Sequence, residues 1–256
     1  MKIRKLISKI KKIFLAAFVL TAVTAAFLFV TNSYFFKIKN IDINENERYS
    51  YDDILKASGI SVGGELYGID VKKTEGKIKE ELAYAKSVNI RQIPPSTLSI
   101  EIENEKGFFG MAIAGDFYIV SQDFKVLDRR KKPVTEGIIT VATDEVKKCY
   151  LGEKMEFSDG DVYDFLEGIV ELFKKDDSGR LSAIKSVDIT NKFKVAMNYG
   201  DRFLVKFGIF ENIAPKILNV FEVINELGDD DRGIIDITDG KAASFRYVEN
   251  VFEKNY

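Results

Sequence analysis

Between Ile13 and Val30 the chain runs IFLAAFVLTAVTAAFLFV, 18 residues with no charge and with apolar side chains on every face. At 1.5 Å rise per residue such a helix covers roughly 27 Å, close to the ~30 Å hydrocarbon core of a bilayer. Eleven of these residues are Ile, Leu, Phe or Val, each worth about −0.3 to −0.6 kcal/mol on insertion, a gross gain on the order of 3–7 kcal/mol. A membrane-spanning helix over residues 13–31 is predicted. The rival reading is a cleaved signal peptide, since AVTAA at 22–26 offers small residues at the required spacing. The apolar FLFV that follows these alanines favours a retained anchor, because an apolar signal region ends before its cleavage site.

Beyond the run the periodicity changes. In FKIKNIDIN, Phe36 and Ile38 alternate with polar residues, and so do Ile41 and Ile43, but the phase slips between the pairs. A strand with a bulge near Asn40 is predicted. In YSYDDILKASGI, Ser50 is a good N-cap with Asp53 three residues on, Ile54, Leu55 and Ala57 share a side, and Gly59 marks the stop. A second helix starts at Asp70 with Val71, Ile78 and Leu82 as its apolar stripe, weakened by Gly76. SVNIRQIPPSTLSIEIEN then gives two alternating runs around a Pro-Pro turn, Val88 and Ile90 in the first and Leu98, Ile100 and Ile102 in the second. The order strand, helix, helix, strand, strand suits a two-layer unit with one sheet face covered.

A second region reads differently. SDGDVYDFLEGIVELFKKDD has Ser158 as cap and a wide stripe of Val162, Phe165, Leu166, Ile169, Val170 and Phe173. Three strand-like runs follow, AIKSVDIT, FKVAMN and RFLVKFG, with an Asn-Tyr-Gly-Asp turn before the last. Residues 212–228 read as a helix capped by Asn212, with Pro215 in its first turn and Gly228 at its end. Two strand-like stretches around Asp239-Gly240 close the pattern. The fold class is α+β, the second domain having a curved, mainly antiparallel sheet.

Charge adds topology. Lys2, Arg4, Lys5, Lys9, Lys11 and Lys12 precede the apolar run with no acid among them, which leaves 32 basic and 40 acidic side chains from Asn32 onward, a balance of −8. The positive-inside rule places the N-terminus in the cytoplasm and the rest outside. Tyr34, Phe35 and Phe36 then fall at an outer aromatic belt, and residues 1–31 are expected to contact lipid. An acidic exported part argues against nucleic acid as partner. The chain has no His, no Trp and one cysteine, Cys149, so a structural disulfide within one chain and a His or Cys metal cage are excluded.

The spacing Phe36-x-Ile38-x-x-Ile41-x-Ile43, with SYDDILKASGI and NIRQIPPSTLSIEIENE placed directly after a basic-flanked anchor, resembles the polypeptide-transport-associated (POTRA) domain of the FtsQ/DivIB cell-division family. FYIVSQDFKVLD, YGDRFLVKFG, NIAPKILNVFEVINEL and GIIDIT are similar to the strands and helix of that family's second domain. Two positions depart from it, Phe124 where a turn Gly is common and Ala83 where a Pro is common. The resemblance implies a division of the chain into a cytoplasmic basic tail (1–12), the transmembrane helix (13–31), a POTRA domain (35–104), an FtsQ/DivIB-type β domain (105–250) and a C-terminal tail (251–256). It further implies a divisome scaffold at the division septum that holds membrane-anchored coiled-coil partners, FtsB/DivIC-like and FtsL-like, through the end of its second domain, and so helps regulate septal peptidoglycan synthesis.

The residues themselves offer little for catalysis. Ser182-x-x-Lys185 and Ser8-x-x-Lys11 match a serine-acylase spacing, but the first lies in a strand pattern and the second in the basic tail. GGELYG at 63–68 lacks the Lys-Ser/Thr of a phosphate loop. Asp229, Asp230 and Asp231 read as a solvated turn, with a hard-cation site as the alternative. Cys149 has no His to activate it and reads as a half-buried small residue. No cofactor, metal or small-molecule substrate is expected, and the working surface is expected to serve protein partners. Ser244, Phe245, Arg246, Tyr247 and Val248 are the candidates: at a sheet edge their main chain would accept a strand, and within a sheet they would be paired already. Two other functions compete. An anchored enzyme acting on wall polymer would need convergent carboxylates, for which Asp236, Asp188 and Glu101 are too regularly placed. An exported POTRA-type chaperone or translocation subunit would fit a barrel, whose ~10-residue strand repeat does not follow residue 105.

Overall fold

The computed structural model describes residues 2–209, 213–240, 242–249 and 251–252. It opens with helix α1 (Lys2–Phe35). Its stretch Lys11–Leu28 is long and apolar enough to cross a membrane, and none of it is buried. Thr21 and Thr24, its uncharged polar residues, turn their hydroxyls back on the helix: Thr21 Oγ1 donates to Phe18 O at 2.8 Å and Thr24 Oγ1 to Leu20 O at 2.6 Å. No hydroxyl of the two is then left unmatched in hydrocarbon.

Two compact units divide the chain, the first ending at Asn104 and the second beginning at Glu105. After α1 the first holds β1 (Asn40–Ile43), α2 (Tyr51–Ser58), α3 (Val71–Glu81), β2 (Ala85–Ile93) and β3 (Thr97–Asn104). The strands lie in the order β1-β3-β2, with β1 parallel and β2 antiparallel to β3. Ile54, Ala57, Ile78 and Leu82 from the helical side meet Val88, Ile90, Leu98, Ile100 and Ile102 from the sheet in one buried core. The starts and stops follow local chemistry. Ser50 and Asp53 form a reciprocal capping box, Gly59 ends α2 in the left-handed conformation, and Asp70 accepts from Lys73 N at the head of α3.

The expected strand with a bulge at Asn40 is corrected. Residues 36–38 pair not with β3 but with the loop after α2, through Leu66 N to Phe36 O at 2.8 Å and Ile38 N to Gly64 O at 2.9 Å. Lys39 N then donates to Ser96 O at 2.8 Å, and β1 begins. The phase slip marks a change of partner, not an extra residue. Past the end of β1, Asn44 extends the pairing with its side chain: its amide donates to Ile102 O at 3.1 Å and accepts from Ile102 N at 2.8 Å.

The second unit runs β4 (Phe109–Ile113), β5 (Asp116–Val120), β6 (Val126–Arg130), β7 (Ile139–Ala142), β8 (Val146–Lys148), β9 (Glu156–Phe157), α4 (Gly160–Lys175), β10 (Ile184–Asp188), β11 (Val195–Tyr199), β12 (Phe203–Gly208), α5 (Ile213–Glu226), β13 (Gly233–Asp236) and β14 (Ser244–Tyr247). Nine of these strands form one sheet in the order β14-β13-β12-β11-β10-β7-β4-β5-β6. The pairs β10 with β7, β4 with β7 and β12 with β13 are parallel, and the remaining neighbours in the sheet are antiparallel. Both parallel steps that enclose a helix repeat one theme. β7, α4, β10 and β11 form a strand, helix, parallel strand and antiparallel strand, and β12, α5, β13 and β14 form the same series. The buried stripe of α4 is as the periodicity predicts, and a Cβ on Gly168 would lie 3.3 Å from the Ile213 side chain of α5, which would have to give way by a few tenths of an ångström. Its cap is Asp159, accepting from Asp161 N, and not Ser158, whose own N–H is taken up by Glu145 O at 2.8 Å. Pro215 sits in the first turn of α5, while the expected cap Asn212 lies outside the described residues.

Phe124 departs from its expected turn glycine in identity but not in conformation. Its φ is +62°, in the region that favours Gly. The ring is buried, 5.9 Å from the Phe109 ring, 6.1 Å from Phe157 and 4.7 Å from Tyr163. A left-handed non-glycine residue costs about 1–2 kcal/mol, whereas truncating a core Phe costs about 3–5 kcal/mol, so packing wins. Phe124→Gly should destabilise the second unit by a net of about 1–4 kcal/mol, read as a lower urea midpoint at unchanged slope; equal or greater stability would show that strain dominates.

Candidate partner-binding edge

Ser244 to Tyr247 form β14, and Val248 continues it by donating to Arg232 O at 3.1 Å. Among the described residues β14 pairs only with β13, at one end of the nine-stranded sheet. The main chain of β13 alternates. Gly233 N donates to Arg202 O at 3.0 Å and Ile237 N to Lys206 O at 2.9 Å, so the odd-numbered residues face β12. Ile234 and Asp236 therefore face β14, opposite Arg246 and Ser244. In an antiparallel pair the intervening residues turn their peptide groups the other way. The N–H and C=O of Phe245 and Tyr247 consequently point away from the sheet.

Side chains hold this strand in place from one face. The Phe245 ring lies half-buried 6.0 Å from Phe203 and 5.9 Å from Tyr247. It fits because residue 233 is Gly: a Cβ there would sit 2.7 Å from the Phe245 ring and 2.2 Å from Arg246 O. Tyr247 is 62% exposed, enough for a partner to cover it. Partial desolvation and the neighbouring Asp231 and Asp230 carboxylates push its phenol above the ordinary range, which keeps it neutral and a hydrogen-bond donor. Ser244 and Arg246 are exposed and, by alternation, project from the opposite face.

The acidic turn beneath β14 is held by its own groups. Asp231 Oδ2 accepts from Gly228 N at 2.7 Å, and the Arg202 guanidinium donates to Asp231 O at 3.2 Å and to Gly228 O. Asp236 Oδ1 accepts from Thr238 N at 3.0 Å and Oγ1 at 2.8 Å, with its pKa lowered chiefly by that backbone bond. Asp188 Oδ1 likewise accepts from Thr190 N at 3.0 Å and Oγ1 at 2.7 Å. One Asp-Ile-Thr device thus ends both β10 and β13, a repeat that stands in the sequence at 188–190 and 236–238 and that periodicity alone does not single out. Glu101 is paired with Arg91 across β2 and β3. These three carboxylates serve separate strands.

Other sequence candidates are dispersed. Ser182 lies in a 3-10 turn, Arg180–Ala183, and not in a strand; its Oγ donates to Gly179 O at 2.6 Å, while Lys185 belongs to β10. The Ser8 side chain lies outside the described residues. Leu66–Gly68 of GGELYG form a 3-10 turn with Leu66 buried. Cys149 is half-buried against the core of the second unit.

Residues 36–104 match the family model of the FtsQ-type POTRA domain. The chain is 25% identical to the cell division protein FtsQ of Corynebacterium glutamicum over 193 residues, covering 75% of this chain and 80% of that one. It is 23% identical to the cell division protein DivIB of Clostridium botulinum strain Hall over 240 residues, or 93% and 91% of the two chains. To DivIB of Listeria monocytogenes the identity is 23% over 242 residues, or 92% and 81%.

The role of Gly233 is open to test. Gly233→Ala should force β14 off the sheet, raising amide exchange at Arg246 and Ile234 while the β10–β12 amides keep their protection; unaltered exchange at Arg246 would mean that the strand does not depend on this close approach.

Proposed function

From this chain's membership of the FtsQ/DivIB family of cell division proteins, we propose that it is a single-pass membrane scaffold, N-terminus in the cytoplasm, whose exported edge strand β14 receives a strand from membrane-anchored coiled-coil partners. Those partners are of the FtsB/DivIC and FtsL type, and the assembly helps regulate septal peptidoglycan synthesis at the division site. The chain contributes docking and no bond-making.

The observation that carries this reading is the outward main chain of Phe245 and Tyr247. Four hydrogen-bonding groups there, two N–H and two C=O, are aligned as a strand's partner groups are. At about 0.5–1.5 kcal/mol net per bond they supply roughly 2–6 kcal/mol, short of the ~8 kcal/mol of a micromolar complex. Shared attachment to one membrane makes up the difference. A tethered partner at an effective concentration in the mM range is half-bound at ~4 kcal/mol. The internal repeat supports the same edge: β14 stands where β11 stands in the preceding series, and the far side of β11 carries β12 in antiparallel pairing.

Two other edge strands are partly covered. Ile90 N on the outer side of β2 is taken by Glu75 Oε1 at 2.9 Å. The start of β6 is covered by the 152–155 loop, through Val126 N to Glu153 O at 2.9 Å and Gly152 N to Val126 O at 2.8 Å.

Proline distinguishes the two faces of β14. Tyr247→Pro removes an outward donor and leaves the bonds to β13, a placement that an edge strand tolerates. Capture of a DivIC-like partner by the full-length protein in membranes should fall about tenfold, equivalent to 1.4 kcal/mol, with Phe245→Pro or Tyr247→Asp acting in the same direction and α1 and the first unit still folded. Undiminished capture by all three variants would defeat the proposal.

A further inference from the structure

Three segments converge within a few residues of the end of α1. The Phe36 and Ile38 main chain holds the 63–66 loop, Lys39 N holds the turn between β2 and β3 through Ser96 O at 2.8 Å, and Gln92 Nε2 donates to Leu66 O at 2.8 Å. This end of the first unit is also where its exposed apolar side chains gather. Val62 is 61%, Tyr67 50% and Ile93 45% exposed. The Phe36 ring packs edge-to-face on Tyr67 at 5.1 Å. Among the described residues between Phe36 and Asn104, the other large exposed hydrophobic is Tyr51, whose hydroxyl is turned to Ile41 O at 3.5 Å.

We propose that this end of the first unit is a lipid-docking surface: Phe36, Val62, Tyr67 and Ile93 seat among the lipid headgroups of the outer leaflet. The inference rests on α1 being a membrane-spanning anchor. Continuity of the chain sets the depth. Phe36 lies six residues beyond Val30, at most about 9 Å along a helix, and the polar zone of a bilayer is roughly 5–8 Å thick on each side. An apolar cluster at that height lies level with the lipid headgroups, where contact with lipid removes it from water. Its chemistry suits the site, since aromatic rings with a polar tip favour this interface.

Charge decides what kind of lipid surface. Lys37 and Lys39 are exposed at this end, and so are the acidic Glu65, whose backbone pairs with that of Lys37, and Asp70. Positive and negative groups nearly balance, so the seat depends on apolar and aromatic burial and needs no anionic lipid.

The absence of tryptophan from the chain makes a clean test. Full-length protein carrying Tyr67→Trp, Val62→Trp, Phe18→Trp in the anchor or Phe193→Trp in the second unit, each alone, is reconstituted in phosphatidylcholine vesicles with and without brominated acyl chains. Phe193 is 68% exposed and serves as the water-facing reference. Quenching of the indoles at 18, 62 and 67, with blue-shifted emission at 62 and 67 and none at 193, supports the proposal. Quenching at 18 with 62 and 67 behaving as 193 does would overturn the docking surface and leave the anchor intact. An unquenched indole at 18 would remove the anchor reading and this surface with it. A shift at 67 that grows with the protein-to-lipid ratio without bromine quenching would assign the cluster to a second copy of the chain and also overturn the proposal.

Discussion

Main-chain N–H and C=O groups must find partners wherever water is excluded or a sheet continues, and this requirement organises each part of the molecule. In α1 the helix satisfies it internally, and Thr21 and Thr24 return their hydroxyls to the same backbone. At the start of the first unit it makes residues 36–38 pair with a loop before Lys39 hands the chain to the sheet. Asn44 meets it with a side chain where the backbone of β1 has run out. At β14 the alternation of an antiparallel strand leaves Phe245 and Tyr247 directed outward, and function is proposed where the requirement is still open.

The second unit shows how that open position arises. Two series of strand, helix, parallel strand and antiparallel strand lie side by side, each with an Asp-Ile-Thr stop on its second parallel strand. The first series is continued by the second. Beyond the second the described chain supplies no further strand, and small local choices keep its last strand straight against the sheet, above all a glycine at 233 that admits the Phe245 ring. Weak main-chain attraction is adequate there if partners share the membrane, because a common anchor raises their local concentration without adding a contact.

Much of the architecture was legible because it is set by near neighbours. Ser50 with Asp53 and Gly59, Asp70, the stripe of α4 and the alternation of Leu98, Ile100 and Ile102 each encode an element within a turn or a few residues. The misreadings came where distant pairing decides. Phe36 and Ile38 alternate like strand residues, yet only tertiary contact tells that they face a loop. Ser158 and Asp159 are equally good caps in isolation, and the bond from Ser158 N to Glu145 O settles the choice. β4 and β7 escape the periodicity, since FGMAI and ITVA are short and FGMAI is a buried run with little alternation. For the candidate site, the residue types at 244–248 drew attention, but whether they formed an edge depended on the order of nine strands, which no local pattern carries. Phe124 was seen as a departure, and its left-handed backbone was hidden because buried rings, not its own preference, hold it there.

The anchor has one further property. Lys11–Leu28 is 18 residues long, and a helix of that length matches about 27 Å of hydrocarbon, with no surplus to take up by tilting. In thicker bilayers the lipid must thin around it, or flanking lysines must stretch toward the phosphates, at a fraction of a kcal/mol for each ångström of mismatch. Thin regions of membrane therefore hold this protein at lower energy than thick ones, and bilayer thickness acts as a sorting variable in its own right.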